Sequence, residues 1–195
     1  IKEILKDCYV SPNLKNMGKI NCDGKEYDAV VWGGNEDLEK ILNLNIIYGR
    51  GIRKKDVESN RKITIIPKSV SERIFGKANS VGESITLTGF KKDIELIIAG
   101  IYDNSEIFNM ISENMPVFCY IPFSTFIDVF DGSFNGEISV VNKNGGDVET
   151  SCEKAVAYLS NKYKDDKNYY YENLNVYKKS LSDIASTITL IIALI

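Results

Sequence analysis

The run from Tyr48 to Leu87, YGRGIRKKDVESNRKITIIPKSVSERIFGKANSVGESITL, limits the fold more than any other part of the chain. Its breakers recur too often for a long helix or a long strand. Gly49-Arg50-Gly51 brackets a turn that closes one strand, and the charged residues from Arg50 to Lys55 read as a solvated loop. Ile63 to Ile66 is a short apolar run stopped by Pro67, whose missing N–H cannot continue a ladder, so it reads as a buried strand. Ser69 and Glu72 have capping-box spacing, the one bonding forward and the other back to spare N–H groups, and Gly76 ends the short helix they start. After the turn at Gly82, Ile85 and Leu87 alternate with Ser84, Thr86 and Thr88 as a half-exposed strand does. Short strands interleaved with short helices predict an α+β fold.

At 195 residues the chain makes one large domain or two lobes and buries roughly 70% of its unfolded surface. A net charge of -3 gives no electrostatic reason for a nucleic-acid partner. The absence of histidine excludes Ser-His-Asp triads and histidine–zinc sites. Cys8, Cys22, Cys119 and Cys152 show no C-x-x-C spacing, which argues against a zinc cluster, while a disulfide in an oxidising compartment stays open. Cys8 with Cys22 is the pair to examine; Cys119, in the apolar run Val117 to Ile121, and Cys152, on the apolar face of a helix, read as buried thiols. The redox state of all four stays open.

Lys25 to Trp32 reads as a strand, largely buried over Ala29 to Trp32. A helix follows, with Asn35 as N-cap, Glu36, Asp37 and Glu39 at the positive end of its dipole, and Leu38, Ile41 and Leu42 on its buried face. Those acids read as helix-start electrostatics, not as a metal or catalytic cluster. Ile94 to Ile101 pairs with the Ser84 to Thr88 strand as a hairpin through Gly89 to Asp93. Met115 to Pro122 is a further apolar strand, and Ser124-Thr125 a cap for the short helix Phe126 to Phe130. Glu137 to Val141 alternates as a strand, Asn144-Gly145-Gly146 turns, and Asp147 caps a helix with apolar Val148, Cys152, Ala155, Val156, Leu159 and Tyr163 on one face. Tyr169 to Leu174 returns as a strand, completing a β-α-β unit. Neighbouring strand residues point to opposite faces, so Tyr169, Tyr170 and Tyr171 form no common stacking platform.

The first residues alternate Lys, Glu and Asp with apolar positions and do not read as a signal peptide, so the start reads as cut from something longer, and the apolar run Ile184 to Ile195 reads as the start of a transmembrane helix, with a helix packed on the core as the competing reading. Neither G-x-x-x-x-G-K-[ST] nor G-x-G-x-x-G occurs, and there is no G-x-S-x-G elbow. No residue is singled out as catalytic, cofactor-binding or metal-ligating; the chain reads as a non-enzyme without a cofactor.

Val10-Ser11-Pro12, Tyr27 to Gly33, Asp37 to Gly51, Asp56, Ile63 to Gly82, Ile97 to Gly100, Tyr120 to Ser124 and Glu137 to Val141, taken in order, resemble the extracytoplasmic core domain of MacB-like and FtsX-like bacterial ABC-transporter permeases. The chain departs from the pattern at Ser80, where the family usually has proline before Val81-Gly82, and at Ala99, where valine precedes the glycine. The resemblance implies an ectodomain between membrane helices with two lobes. A β-α-β lobe comes from both chain ends, residues 5–50 and 136–174; a strand-rich lobe, 55–131, is inserted; and 177–195 forms a membrane-proximal helix. It also implies a second permease copy, a cytoplasmic ATPase and flanking helices in the bacterial cell membrane as partners, with the domain coupling ATPase-driven movement to export or mechanotransmission; whether an extracytoplasmic adaptor protein docks stays open. The competing readings are an extracytoplasmic ligand-sensing domain of a membrane receptor and a secreted enzyme.

Overall fold

The structure is a computed structural model that describes residues 1–103, 115–130, 137–145, 148–164 and 169–173. The element order is β1 (Cys8–Pro12), β2 (Leu14–Cys22), β3 (Lys25–Gly34), α1 (Leu38–Ile41), β4 (Asn45–Gly49), α2 (Lys54–Glu58), β5 (Ile63–Pro67) and α3 (Lys68–Phe75). It continues with β6 (Ser84–Thr88), β7 (Asp93–Asp103), β8 (Val117–Pro122), α4 (Phe123–Val129), β9 (Ile138–Asn142) and α5 (Val148–Tyr163). The fold is α+β, as the alternation of breakers predicts.

The chain divides into two compact units, residues 9–140 and residues 1–8 with 141–195. In the larger unit a seven-stranded sheet runs β4-β7-β5-β8-β3-β2-β6, and β6 also pairs with β7. The sheet therefore closes into a ring of β7, β5, β8, β3, β2 and β6, with β4 added on β7. The 11-residue β7 makes this possible. Its first half, Asp93 to Ile97, pairs with β6, its second half, Gly100 to Asp103, pairs with β4, and β5 lies along Ile97 to Tyr102. β2 and β3 form a hairpin from Leu14 opposite Gly33 to Cys22 opposite Lys25. Its turn, Asp23-Gly24, has φ of 50° and 76°, the left-handed pair that matches the twist of two-residue hairpins.

Alternation along the strands supplies two apolar clusters. Val117, Cys119 and Ile121 of β8, with Ile66 of β5 and Ile101 of β7, join Ile20, Val31, Leu87 and Leu96 and the α4 residues Phe126 and Val129 in the main core. The intervening Tyr120, Ile65 and Tyr102 point the other way into a second cluster with Leu38, Leu44 and Ile52. β5 is buried on both faces, as an apolar run without alternation requires.

β2, β3 and β4, within the 5–50 segment expected in the lobe from both chain ends, are hydrogen-bonded into the seven-stranded sheet with β5 to β8. Two paired β-turn signals in different parts of the chain carry no record of which strand will sit beside which. β9 pairs with β1. The expected strand at Tyr169 to Leu174 is absent over the described residues 169–173, where Tyr171 instead bonds Glu149 of α5 through its hydroxyl at 3.1 Å. The β-α-β unit thus lacks its last strand among the described residues. Asp147, the expected cap, and the segment 177–195, expected to lead into the membrane, lie outside the described residues.

Helix starts are also corrected. α3 begins at Lys68 directly after Pro67, so Ser69 is inside the first turn and caps nothing. α4 begins at Phe123, so Ser124 and Thr125 are helical. In both cases a strand-ending proline already holds the extended dihedrals of an N-cap. α1 starts only at Leu38, and of its three expected buried residues Leu38 is buried while Leu42 is exposed. Gly76 ends α3 with φ 67°, as expected.

Candidate functional site

The Gly49-Arg50-Gly51 turn is fixed by its neighbours on β7. Gly49 has φ +69° and no space for a Cβ beside the Ala99 carbonyl, and the Arg50 N–H donates to that carbonyl at 2.9 Å. Gly100, opposite Gly49, sits as tightly against the Arg50 backbone. The chain then reverses and Arg50 reaches Asp56 in α2. Nη1 donates to Oδ2 at 2.5 Å and Nη2 to Oδ1 at 3.0 Å, a two-pronged match of guanidinium to carboxylate, while Nη1 also donates to Gly51 O at 2.9 Å. The Arg53 N–H donates to Asp56 Oδ2 at 2.8 Å, and Arg61 Nη1 lies 3.7 Å from Oδ1.

Asp56 is 1% exposed. Burial pushes its carboxyl up, but the Arg50 bonds, the Arg53 N–H and the charges of Arg50 and Arg61 outweigh burial and hold it below the ordinary carboxylate range. Arg50 is accordingly no solvated loop residue, which corrects the reading of the basic cluster; Arg53, Lys54 and Lys55 are exposed. Beside this node Glu39, Ile46 and the residues Gly49 to Arg53 line an open cleft of about 350 Å³.

A second ionic node joins α4 to the loop before β5. Asp128 Oδ2 accepts from Lys62 Nζ at 2.9 Å and Asn60 Nδ2 at 2.8 Å, with Lys92 at 3.5 Å. Buried Thr125 donates to Arg61 O at 3.0 Å. The Lys62 bond, then the Asn60 bond and the two lysine charges, bring the Asp128 carboxyl down to about 2. A carboxyl lowered by folding stabilises the fold above its unfolded value near ~3.9, and that contribution drains away as pH falls toward the folded value. In urea titrations the wild-type protein is expected to lose stability between about pH 4 and pH 2 more steeply than an Asp128→Asn variant. Parallel acid limbs would count against the node.

Of the acids near Asn35, Asp37 serves the backbone. Asp37 Oδ2 accepts the Val10 N–H at 3.0 Å, Asn35 Nδ2 donates to Val10 O at 2.8 Å, and Asn35 Oδ1 accepts the Asp37 N–H at 3.0 Å. Both β1 backbone groups of Val10 are thus satisfied by side chains before α1, so Asp37 does more than favour a helix dipole. No disulfide joins the four cysteines, so Cys8 and Cys22 are not bridged. Cys119 is fully buried, and burial pushes its thiol up to about 12. Burial likewise raises Tyr102 and Tyr120, whose rings lie 5.7 Å apart. Among the described residues no group of three or more histidine, cysteine or acidic side chains could hold a metal ion, and no helix is long and apolar enough to cross a membrane.

Residues 5–157 match the model of the MacB-like periplasmic core domain. The chain belongs to this family. The domain is the extracytoplasmic part of a MacB-like ABC-transporter permease. It is 23% identical over 187 residues to the macrolide export ATP-binding/permease protein MacB of Aggregatibacter actinomycetemcomitans, covering 94% of this chain and 28% of that protein. A shorter match, 31% identical over 62 residues, covers 32% of this chain and 9% of the pyoverdine export ATP-binding/permease protein PvdT of Pseudomonas aeruginosa. Among solved structures, the periplasmic region of MacB from Actinobacillus actinomycetemcomitans aligns with TM-score 0.64 and 18% identity, over 89% of this chain and 75% of that one. The extracellular domain of the noncanonic ABC-type transporter YknZ from Gram-positive bacteria aligns with TM-score 0.66 and 18% identity, over 88% and 84%. The chain therefore spans little more than a quarter of the MacB protein it matches.

Proposed function

We propose that this domain is a non-catalytic module that couples the movement of an ATP-driven permease to export, or to work on a partner, outside the membrane. What carries the reading is the match of residues 5–157 to a domain whose relatives are named as export ATP-binding/permease proteins. The site chemistry agrees in kind. The two ionic nodes, Arg50–Asp56 and Lys62–Asp128, spend their charges on holding loops to strands, as a part that transmits displacement needs. Energy would come from an ATPase on the cytoplasmic side. A second copy of the permease and an extracytoplasmic adaptor are the further partners of this reading, and no residue of the domain acts in catalysis or holds a cofactor or metal.

Two measurements test it. The isolated domain is expected to show no heat of ATP binding at millimolar nucleotide, since the phosphate-cradling glycine loop and its lysine are missing; saturable binding in that range would overturn the reading. In the full-length permease reconstituted with its ATPase, excision of the domain is expected to abolish export while ATP hydrolysis persists. Export at the intact rate after excision would refute the coupling role.

A further inference from the structure

The smaller unit contains two of the four cysteines, and the hydrogen bonds bring their surroundings together. Asn142, in β9, carries a side-chain oxygen that accepts from two donors. One is the thiol of Cys8 in β1, at 2.8 Å. The other is the hydroxyl of Ser151 in the first turns of α5, at 3.0 Å. Backbone bonds fix the register around them: the Lys143 N–H donates to Asp7 O at 2.9 Å, next to both Cys8 and Asn142.

α5 presents a definite side to this oxygen. Ala155 is its buried residue, and positions three and four before it on the helix, Cys152 and Ser151, share that side. Cys8, 134 residues from Asn142 along the chain, is thus linked through that one oxygen to Ser151, the α5 residue next to Cys152. Cys8 is buried and Cys152 half-buried, so the second thiol is the one an external reagent reaches first. The other two cysteines are differently placed: Cys22 is buried with its Sγ 4.0 Å from Ser84 O, and Cys119 is fully enclosed in the main core.

We infer that Cys8 and Cys152 are a redox pair that closes into an intramolecular disulfide, locking the N-terminal residues onto α5. The extracytoplasmic placement of the family is the kind of compartment in which such bonds persist. The oxidant is a disulfide, carried by a small molecule or by a thiol-oxidising protein. The thiolate of Cys152 attacks one sulfur of that disulfide and releases the first thiol of the oxidant. The Cys8 thiolate then attacks the Cys152 sulfur of the mixed disulfide and releases the second. Two protein thiols and one oxidant disulfide become one protein disulfide and two oxidant thiols, so two electrons and two protons pass to the oxidant. Asn142 positions the Cys8 sulfur for the second step, and Ser151 holds Asn142.

The test is oxidation of the 195-residue chain with oxidised glutathione, followed by alkylation of remaining thiols and digestion without reductant. The expected product is a monomer lighter by about 2 Da, the loss of two hydrogens, that yields one linked peptide pair containing Cys8 and Cys152. Dithiothreitol should restore both alkylation sites. A Cys152→Ser variant should leave Cys8 alkylatable after the same treatment once the protein is unfolded, and a Cys22→Ser variant should still form the bridge. The inference is overturned if Cys8 and Cys152 both remain alkylatable after oxidation, if Cys8 is recovered linked to Cys22 or Cys119, or if Cys152 is found only in links between chains.

Discussion

Replacing Arg50 with alanine is expected to cost the larger unit about 3–5 kcal/mol of stability, the range for removing one partner of a buried ion pair. The change strands the Asp56 carboxylate, 1% exposed, with the Arg53 N–H and a guanidinium 3.7 Å away as its remaining partners. The urea midpoint of the variant should fall accordingly, with the slope of the transition unchanged. Because folding lowers the Asp56 carboxyl, its contribution is complete above the ordinary carboxylate range and fades as pH falls through the folded value. The gap between wild type and variant should therefore narrow in acid. Replacing both residues with apolar ones, Arg50→Met with Asp56→Leu, should recover much of the loss, since the penalty lies in the unpaired charge and not in the absent pair. A single-variant loss below about 1 kcal/mol, the worth of an exposed pair, would show that water already compensates Asp56.

Gly100→Val is the second large effect, about 3 kcal/mol, the upper end of what overpacking costs. A side chain at position 100 meets the carbonyl and carbon of Arg50, which are backbone atoms and cannot swing aside as a side chain would. β4 must then move off β7, and the Arg50 N–H bond to Ala99 O goes with it. Thermal unfolding should show the loss as a lower Tm, and hydrogen exchange should place the new opening at Asn45 to Gly49. A variant that melts like wild type would mean that β4 is not held as the structure has it.

Local chemistry was legible in the sequence where one segment decides its own conformation. The β5 run Ile63 to Ile66, the hairpin of β6 and β7, the stop at Gly76 and the periodic helix α5 all follow from spacing and breakers within a few residues. The order of punctuation also led to the right family. Spatial pairing was the unreadable part. That Lys25 to Gly34 would lie parallel to Val117 to Pro122 depends on the whole sheet closing, and no short-range signal encodes it. The Asp23-Gly24 hairpin was available as a dipeptide turn signal between two alternating stretches and was missed. The Arg50–Asp56 node was half visible. Both residues stood in the motif, but a basic cluster in a turn gives no sign that one of its members folds back onto a buried acid.

The ring of strands has a further consequence for any encounter between two copies of the chain. A sheet that returns to its own first strand has few unbonded margins to offer to another molecule, and among the described residues of the seven-stranded sheet the terminal strand is β4. That margin is short, five residues, and it is broken by the register shift between Ile46 and Tyr48, so a foreign strand laid along it would lose step. Copies meeting along β4 are thus hindered from extending this sheet from one molecule into the next.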